Sequence, residues 1–259
     1  MVCPESTARN EAVAITPGGG RIGDLMGGAL DHAIAEAVRR LDGAGRLIEI
    51  QLGPVEALVT GRAEGSTMTL ALMDGSAIAV DIWEDLAARR PTRFAVRVDG
   101  ERLDEAEHLE PGDPGIHLST DHLVTSLVPV PRAVISGGGP VAEALVDAFT
   151  LIGWQPSLVA DVATASGMMA TLSSIDAVVV MGHEVETAGR ALQAALASGT
   201  GYIGSIGSPR MQELRKDWLA YRGVDWDDRV RGPAGLPIGA SSAPEVAVSI
   251  VAEVIATRP

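Results

Sequence analysis

The apolar positions change rhythm part-way along the chain. Beyond residue 131, short uninterrupted apolar runs alternate with stretches in which apolar residues recur every three or four positions. Ala133-Val134-Ile135 and Ala177-Val178-Val179-Val180-Met181 read as strands buried on both faces, and residues 157–160 and 202–203 as two more. Helices are predicted over 141–151, 185–197 and 211–221. A last helix opens on Ser242-Ala243-Pro244-Glu245, the sequence of a capping box, and carries Ala247, Ile250, Val251, Val254 and Ile255 on one face. Such alternation predicts βαβ units and a parallel, doubly wound sheet, hence an α/β, Rossmann-like domain.

The earlier residues read differently. Leu30, Ala33, Ile34, Ala37, Val38 and Leu41 follow helical spacing and predict a helix over 29–41. Strands are expected over 47–52, 55–60, 67–73, 77–82 and 94–98. Asp74-Gly75 and Asp99-Gly100 carry the signature of tight hairpin turns, because each pair tolerates positive φ. Val128-Pro129-Val130-Pro131 marks a boundary. The expectation is a smaller mixed α+β domain over residues 1–128 and a Rossmann-like, cofactor-binding domain over residues 129–259, with no internal repeat.

Charge narrows the function. The 34 acids and 20 bases leave a net charge of −14, so the basic face that nucleic acid or an anionic membrane requires is missing. Two Phe, two Tyr and four Trp do not build a stacking wall for bases. The acidic excess is densest at Asp99, Glu101, Asp104, Glu105, Glu107, Glu110 and Asp113, relieved by Arg102. This cluster lacks the spacing of a calcium loop and reads as a solvated surface, with partner docking as the alternative. Cys3, the single cysteine, excludes an intrachain disulfide and any multi-cysteine metal site, so no metal ligand set is nominated. Lys216, the only lysine, sits in Arg215-Lys216-Asp217, which reads as a solvated helix face. No long apolar run and no signal-peptide pattern stand out, so a cytoplasmic protein is expected.

The first strand of the second domain ends in Ser136-Gly137-Gly138-Gly139-Pro140-Val141-Ala142, a G-x-G-x-x-A turn before a helix. There Gly137 allows the tight turn, Gly139 lets a diphosphate approach the backbone at the positive end of the helix, and Ala142 is small enough for close helix–strand packing; Gly138 and Pro140 are candidate cofactor-binding residues with them. Asp161, at the end of the next strand, occupies the position of a ribose-binding acid. The alternative is that the glycines merely close a βα corner. His183 follows the third strand, and Gly204, Gly207, Ser208 and Arg210 follow the fourth; in a parallel sheet these ends share one edge, where ligands bind. His183 is either a structural histidine or a donor to an anionic or pterin-like ligand. Arg210 is either a phosphate clamp or a surface arginine.

Several runs together resemble the XdhC/CoxI family of molybdenum-enzyme accessory proteins. They are Ala177 to Glu184, Tyr202-Ile203-Gly204-Ser205-Ile206-Gly207-Ser208-Pro209-Arg210, and Gly235-Leu236-Pro237-Ile238-Gly239-Ala240 with the Pro244 to Glu253 stretch. In the first half Gly23, Gly27, Gly28, Ala29, Leu30 and Asp31 resemble the family's N-terminal glycine motif, which adds Gly27 and Gly28 to the candidate cofactor-binding residues. The resemblance implies a non-catalytic chaperone that binds molybdenum cofactor (molybdopterin) during sulfuration by a cysteine desulfurase. The chaperone then delivers the cofactor to a xanthine dehydrogenase or CO dehydrogenase-type hydroxylase, and a homodimer is implied. Three departures stand out, the first being that the helix and strand that usually precede the N-terminal glycine motif are not expected here. Ala29 occupies a position where many members have Cys, which excludes thiol ligation of molybdenum there, and Pro209 replaces the usual arginine, displacing Arg210 by one. From the residues alone, an NAD(P)-dependent oxidoreductase and a nucleotide-sensing regulatory module are the rival readings. The first is disfavoured because no tyrosine–lysine proton relay is visible near the crevice.

Overall fold

A computed structural model describes residues 12–15, 20–23, 25–110, 112 and 115–257. Cys3 and Asp113 lie outside the described residues. The chain divides into two compact units, Met1–Val128 and Pro129–Pro259.

The first unit opens with strands β1 (Val13–Ile15) and β2 (Arg21–Gly23), paired antiparallel. Helix α1 (Asp31–Val38) follows, then β3 (Gly45–Gln51), α2 (Pro54–Thr60), β4 (Thr67–Met73), α3 (Val80–Ala87), β5 (Thr92–Asp99), β6 (Arg102–Leu109), β7 (Gly115–Leu118) and β8 (His122–Leu127). The last six strands form an antiparallel sheet in the order β4-β3-β6-β5-β8-β7. Ile82 of α3 packs with Phe94, Val96, Val98, Leu103, Ala106 and Leu123. Leu30, Ile34, Leu52 and Ala57 form a second core with Ile50, Met68, Leu70 and Leu72. Both clusters draw on the sheet because successive strand residues point to opposite faces.

Three expectations for this unit are corrected. Residues 55–60 are helical: Pro54 occupies the first helical position and Gly61, at φ 68°, closes the end, so the flanking punctuation outweighs the apolar run. Residues 77–82 are not a strand. The Asp74 carboxylate accepts from the Ser76 N–H at 2.8 Å and caps a single 3-10 turn, Gly75–Ala77, from which the chain passes into α3. The Asp74-Gly75 pair is therefore an aspartate-capped turn rather than a hairpin. The acidic cluster is solvent-facing in its described members, as expected, and three of them lie on β6. Leu103 and Ala106 point inward while Asp104, Glu105 and Glu107 face solvent, and Arg97 pairs with Asp104 at 2.7 Å. Asp99-Gly100 does join two antiparallel strands, β5 and β6.

The second unit contains β9 (Arg132–Ser136), α4 (Pro140–Leu151), β10 (Gln155–Val159), α5 (Val162–Met169), β11 (Ala177–Val180), α6 (Val185–Ala197), β12 (Tyr202–Ser205), α7 (Pro209–Ala220), β13 (Val230–Arg231) and α8 (Ala243–Ala256). Its sheet is wholly parallel, in the order β10-β9-β11-β12-β13. Alternate strand residues feed two cores. Ala133, Ile135, Ala177 and Val179 pack with α4 and α8 residues, among them Leu145, Phe149, Ile250 and Val254. Val134, Val178, Val180 and Ile203 pack with residues of α5, α6 and α7, among them Met169, Leu192 and Leu219. Burial on both faces explains why these strands are continuous apolar runs. The fold is α/β, with a Rossmann-like parallel sheet in the second unit and a mixed α+β arrangement in the first.

Candidate functional site

From β9 the chain runs through α4 to β10 on one side of β9, then through α5 to β11 on the other. The reversal makes a topological switch point between the carboxyl ends of β9 and β11, where an open α/β sheet leaves a crevice. The strands stay stitched just past their ends. Met181 N–H donates to Ser136 O at 2.9 Å, Ile206 N–H to Val180 O at 3.0 Å, and Ala234 N–H to Ser205 O at 3.0 Å.

The glycine turn divides into two parts with different jobs. Gly137, at φ 134°, is squeezed between strands: its N–H donates to Val159 O at 3.0 Å, and a Cβ there would lie 2.8 Å from the Met181 Cβ. Its small size is required by packing alone. Gly138 and Gly139 are exposed, and an added Cβ on either would meet nothing within 4 Å. Gly139, at φ 100° and ψ −179°, is the N-cap of α4 and offers no capping side chain, in a backbone region essentially reserved for glycine. Among the described residues, the N–H groups of Gly138 and Gly139 take no hydrogen bond. Pro140 begins α4, and the fully buried Ala142 seats the helix on the sheet. Unengaged amides at a helix start are suited to an anion.

The other predicted residues fall in distinct places. Asp161 is the N-cap of α5 and accepts from the Thr164 hydroxyl and the Thr164 N–H, both at 2.7 Å. These bonds hold its carboxyl below the usual aspartate range. It sits at the end of β10, on the side of β9 away from β11, facing an open cleft with Glu186, Thr187 and Arg190. His183 is exposed beyond β11 and makes no hydrogen bond among the described residues. Gly207, at φ 147°, and Ser208, the N-cap of α7, follow β12. Arg210 is exposed in the first turn of α7 and has no partner among the described residues. Gly204 departs from expectation: it is buried inside β12, where a Cβ would lie 2.9 Å from the Tyr202 ring and 3.2 Å from Ala234 Cβ. Its smallness serves that packing, not the crevice. Gly27 and Gly28 belong to the first unit, in the 3-10 turn Met26–Gly28 that leads to α1.

The edge also holds a residue that the sequence reading placed on the surface. Arg215 is fully buried, while its neighbours Lys216 and Asp217 are exposed. Gln212, Arg215 and Leu219 form the inward face of α7. A polar pair at core-facing helical spacing was the signal that could have found it.

Residues 133–254 match the family model of the XdhC Rossmann domain. The match lies within the second unit, so it is this unit that is similar to the XdhC family. Over 244 residues it is 27% identical to the molybdenum cofactor insertion chaperone PaoD of Escherichia coli (strain K12), a match that spans 91% of this chain and 74% of that relative. A crystal structure from Bacillus halodurans, described as a xanthine dehydrogenase, superposes with a TM-score of 0.50 at 18% identity. It covers 95% of this chain and 86% of the other. At that identity the likeness bears on the fold alone.

Proposed function

We propose that the carboxyl-edge crevice of the second unit binds molybdenum cofactor, and that the protein is a non-catalytic accessory chaperone. It would hold the cofactor for sulfuration by a cysteine desulfurase and for insertion into a molybdenum hydroxylase of the xanthine or CO dehydrogenase type. In this reading it acts in the cytoplasm as a homodimer. The observation that carries the proposal is the pair of open amides at Gly138 and Gly139, at the switch point of an XdhC Rossmann domain. The likeness to a molybdenum cofactor insertion chaperone supports the same reading.

The donor set fits this cofactor through its phosphate and pterin. Backbone N–H groups of Gly138 and Gly139 would take the phosphate, with Gly207, Ser208 and Arg210 across the crevice and His183 as a donor to the polar pterin edge. No group of three or more His, Cys, Asp or Glu gathers as a metal site among the described residues, so the protein would grip the organic part of the cofactor. When bound, the cofactor supplies the molybdenum centre that the client enzyme uses. For the chain's own residues the task is anchoring. His183 has no carboxylate or hydroxyl orienting it among the described residues, which favours binding over acid–base work.

The test is reconstitution. Added to a cofactor-depleted molybdenum hydroxylase with free cofactor and a sulfur donor, the protein should raise the active fraction, and it should show no hydride transfer with NAD or NADP. Nicotinamide turnover that disappears in His183→Ala, with no effect on the hydroxylase, would reverse the reading.

A further inference from the structure

Arg215 is fully buried without a carboxylate partner among the described residues. Its Nη1 donates to Ser205 Oγ and to Ile206 O, both at 2.7 Å, and its Nη2 to Gly182 O at 2.6 Å. Its Nε has no partner. Gln212 completes the cluster: its Nε2 donates to Ser205 O at 3.1 Å and Gly207 O at 3.0 Å, and its Oε1 accepts from the Ser205 hydroxyl at 2.6 Å. One guanidinium therefore ties together the loops that leave β11 and β12.

The geometry of the peptide unit gives this tie a consequence. In a trans peptide the C=O and the following N–H point in opposite directions. A guanidinium that draws in the carbonyls of Gly182 and Ile206 turns the N–H groups of His183 and Gly207 away from itself. By the same rule, Gln212 at Gly207 O turns the Ser208 N–H outward from the cluster. None of these three N–H groups takes a hydrogen bond among the described residues. Gly182 and Gly207 stand at φ 129° and 147°, a backbone that L side chains rarely adopt.

The charge is the second half of the argument. Burial lowers the pKa of Arg215, yet an arginine stays protonated in a protein. A buried cation without a counter-ion is costly, and a neutral donor could make some of the same bonds. An anion in the crevice would compensate the charge.

We infer that Arg215 is a positioning residue that aims the His183 and Gly207 amides and biases the crevice towards a phosphate-bearing ligand over its neutral counterpart. This rests on the reading of the crevice as a cofactor site, and deepens it. The test uses the purified full chain with two probes, inorganic pyrophosphate and uncharged neopterin, in calorimetric titrations of wild type, Arg215→Met and Arg215→Lys. Arg215→Met should stay folded by circular dichroism, bind pyrophosphate at least tenfold more weakly, and bind neopterin within about threefold of wild type. Arg215→Lys restores the charge without the double bridge and should lie between. Equal loss of both probes, or wild-type pyrophosphate affinity in Arg215→Met, would overturn the role of Arg215 and leave the crevice reading standing. Binding of neopterin but not pyrophosphate by wild type would do the same. Wild type that binds neither probe would remove the crevice reading and this inference together. If Arg215→Met does not fold, Arg215→Lys decides: pyrophosphate affinity three- to tenfold below wild type supports the role, and unchanged affinity ends it.

Discussion

Gly137 and Met181 meet where the chain leaves β9 and β11: a Cβ at Gly137 would lie 2.8 Å from the Met181 Cβ. Gly138, one residue on, faces open space. The same run of glycines thus contains one position fixed by packing and another that packing leaves unconstrained.

Gly137→Ala combines that clash with a φ of 134°. It should destabilise the protein by about 2–4 kcal/mol, a strained backbone costing ~1–3 kcal/mol before any overpacking. Gly138→Ala should change stability by less than about 1 kcal/mol. Urea unfolding of both variants checks the contrast; equal losses would contradict it.

The start of α8 should be acid-sensitive. Glu245 accepts from the Ser242 and Ser241 N–H groups at 2.8 and 2.9 Å and from the Ser241 hydroxyl at 3.0 Å, and these bonds pull its carboxyl down to about 2. A carboxyl depressed on folding contributes stability above its ordinary value of 4.5 and loses it as pH falls towards about 2. Glu245→Gln should therefore be less stable than wild type near neutral pH, and the gap should close across that window. Ser242→Ala, which removes the reciprocal cap, should cost about 1 kcal/mol. Melting temperatures across the acid range read both effects.

Much of the second unit could be read from the chain because its strands are covered on both faces. Ala177 to Val180 is apolar without interruption, and capping signals such as Ser242 with Glu245 are local. The first unit was harder to read. In β6 only Leu103 and Ala106 turn inward, and a register irregularity between Val96 and Val98 separates them by three residues instead of two. In α2, Val55, Leu58 and Val59 are exposed while Ala57 is buried, so the apolar run did not mark the buried face. At the candidate site, the positions of Gly137, Gly138, Gly139 and Asp161 at strand ends were legible. Arg215 was not, because Lys216 and Asp217 beside it suggested solvent, and the Gln212, Arg215, Leu219 spacing shows only when the helix is read as a face. Gly204 was misplaced because a glycine within a strand and one just after it look alike in sequence.

Tyr202 should report on the loop between β13 and α8. Its hydroxyl donates to Glu253 Oε2 at 2.7 Å, and the same oxygen accepts the Gly235 N–H at 2.8 Å. Burial, and then the Glu253 carboxylate, push the phenol well above its usual value of 10. A phenol raised on folding contributes stability below pH 10 that is lost as pH climbs beyond it. Tyr202→Phe should cost about 1–2 kcal/mol near neutral pH and flatten that alkaline loss. It should leave the alkaline absorbance change of the native protein largely unaltered, because burial and Glu253 oppose ionisation of Tyr202 in the folded chain.

The central claim is that the open amides at Gly138 and Gly139 receive the cofactor's phosphate. Gly138→Asp places a carboxylate there without a steric conflict in the fold. Wild type and this variant can be co-expressed with molybdenum cofactor biosynthesis, and the purified chains compared for molybdenum and for oxidised pterin fluorescence. The account predicts pterin and molybdenum with wild type and at least a tenfold loss with Gly138→Asp, at equal melting temperature. Equal cofactor on both proteins, or none on wild type, would contradict it.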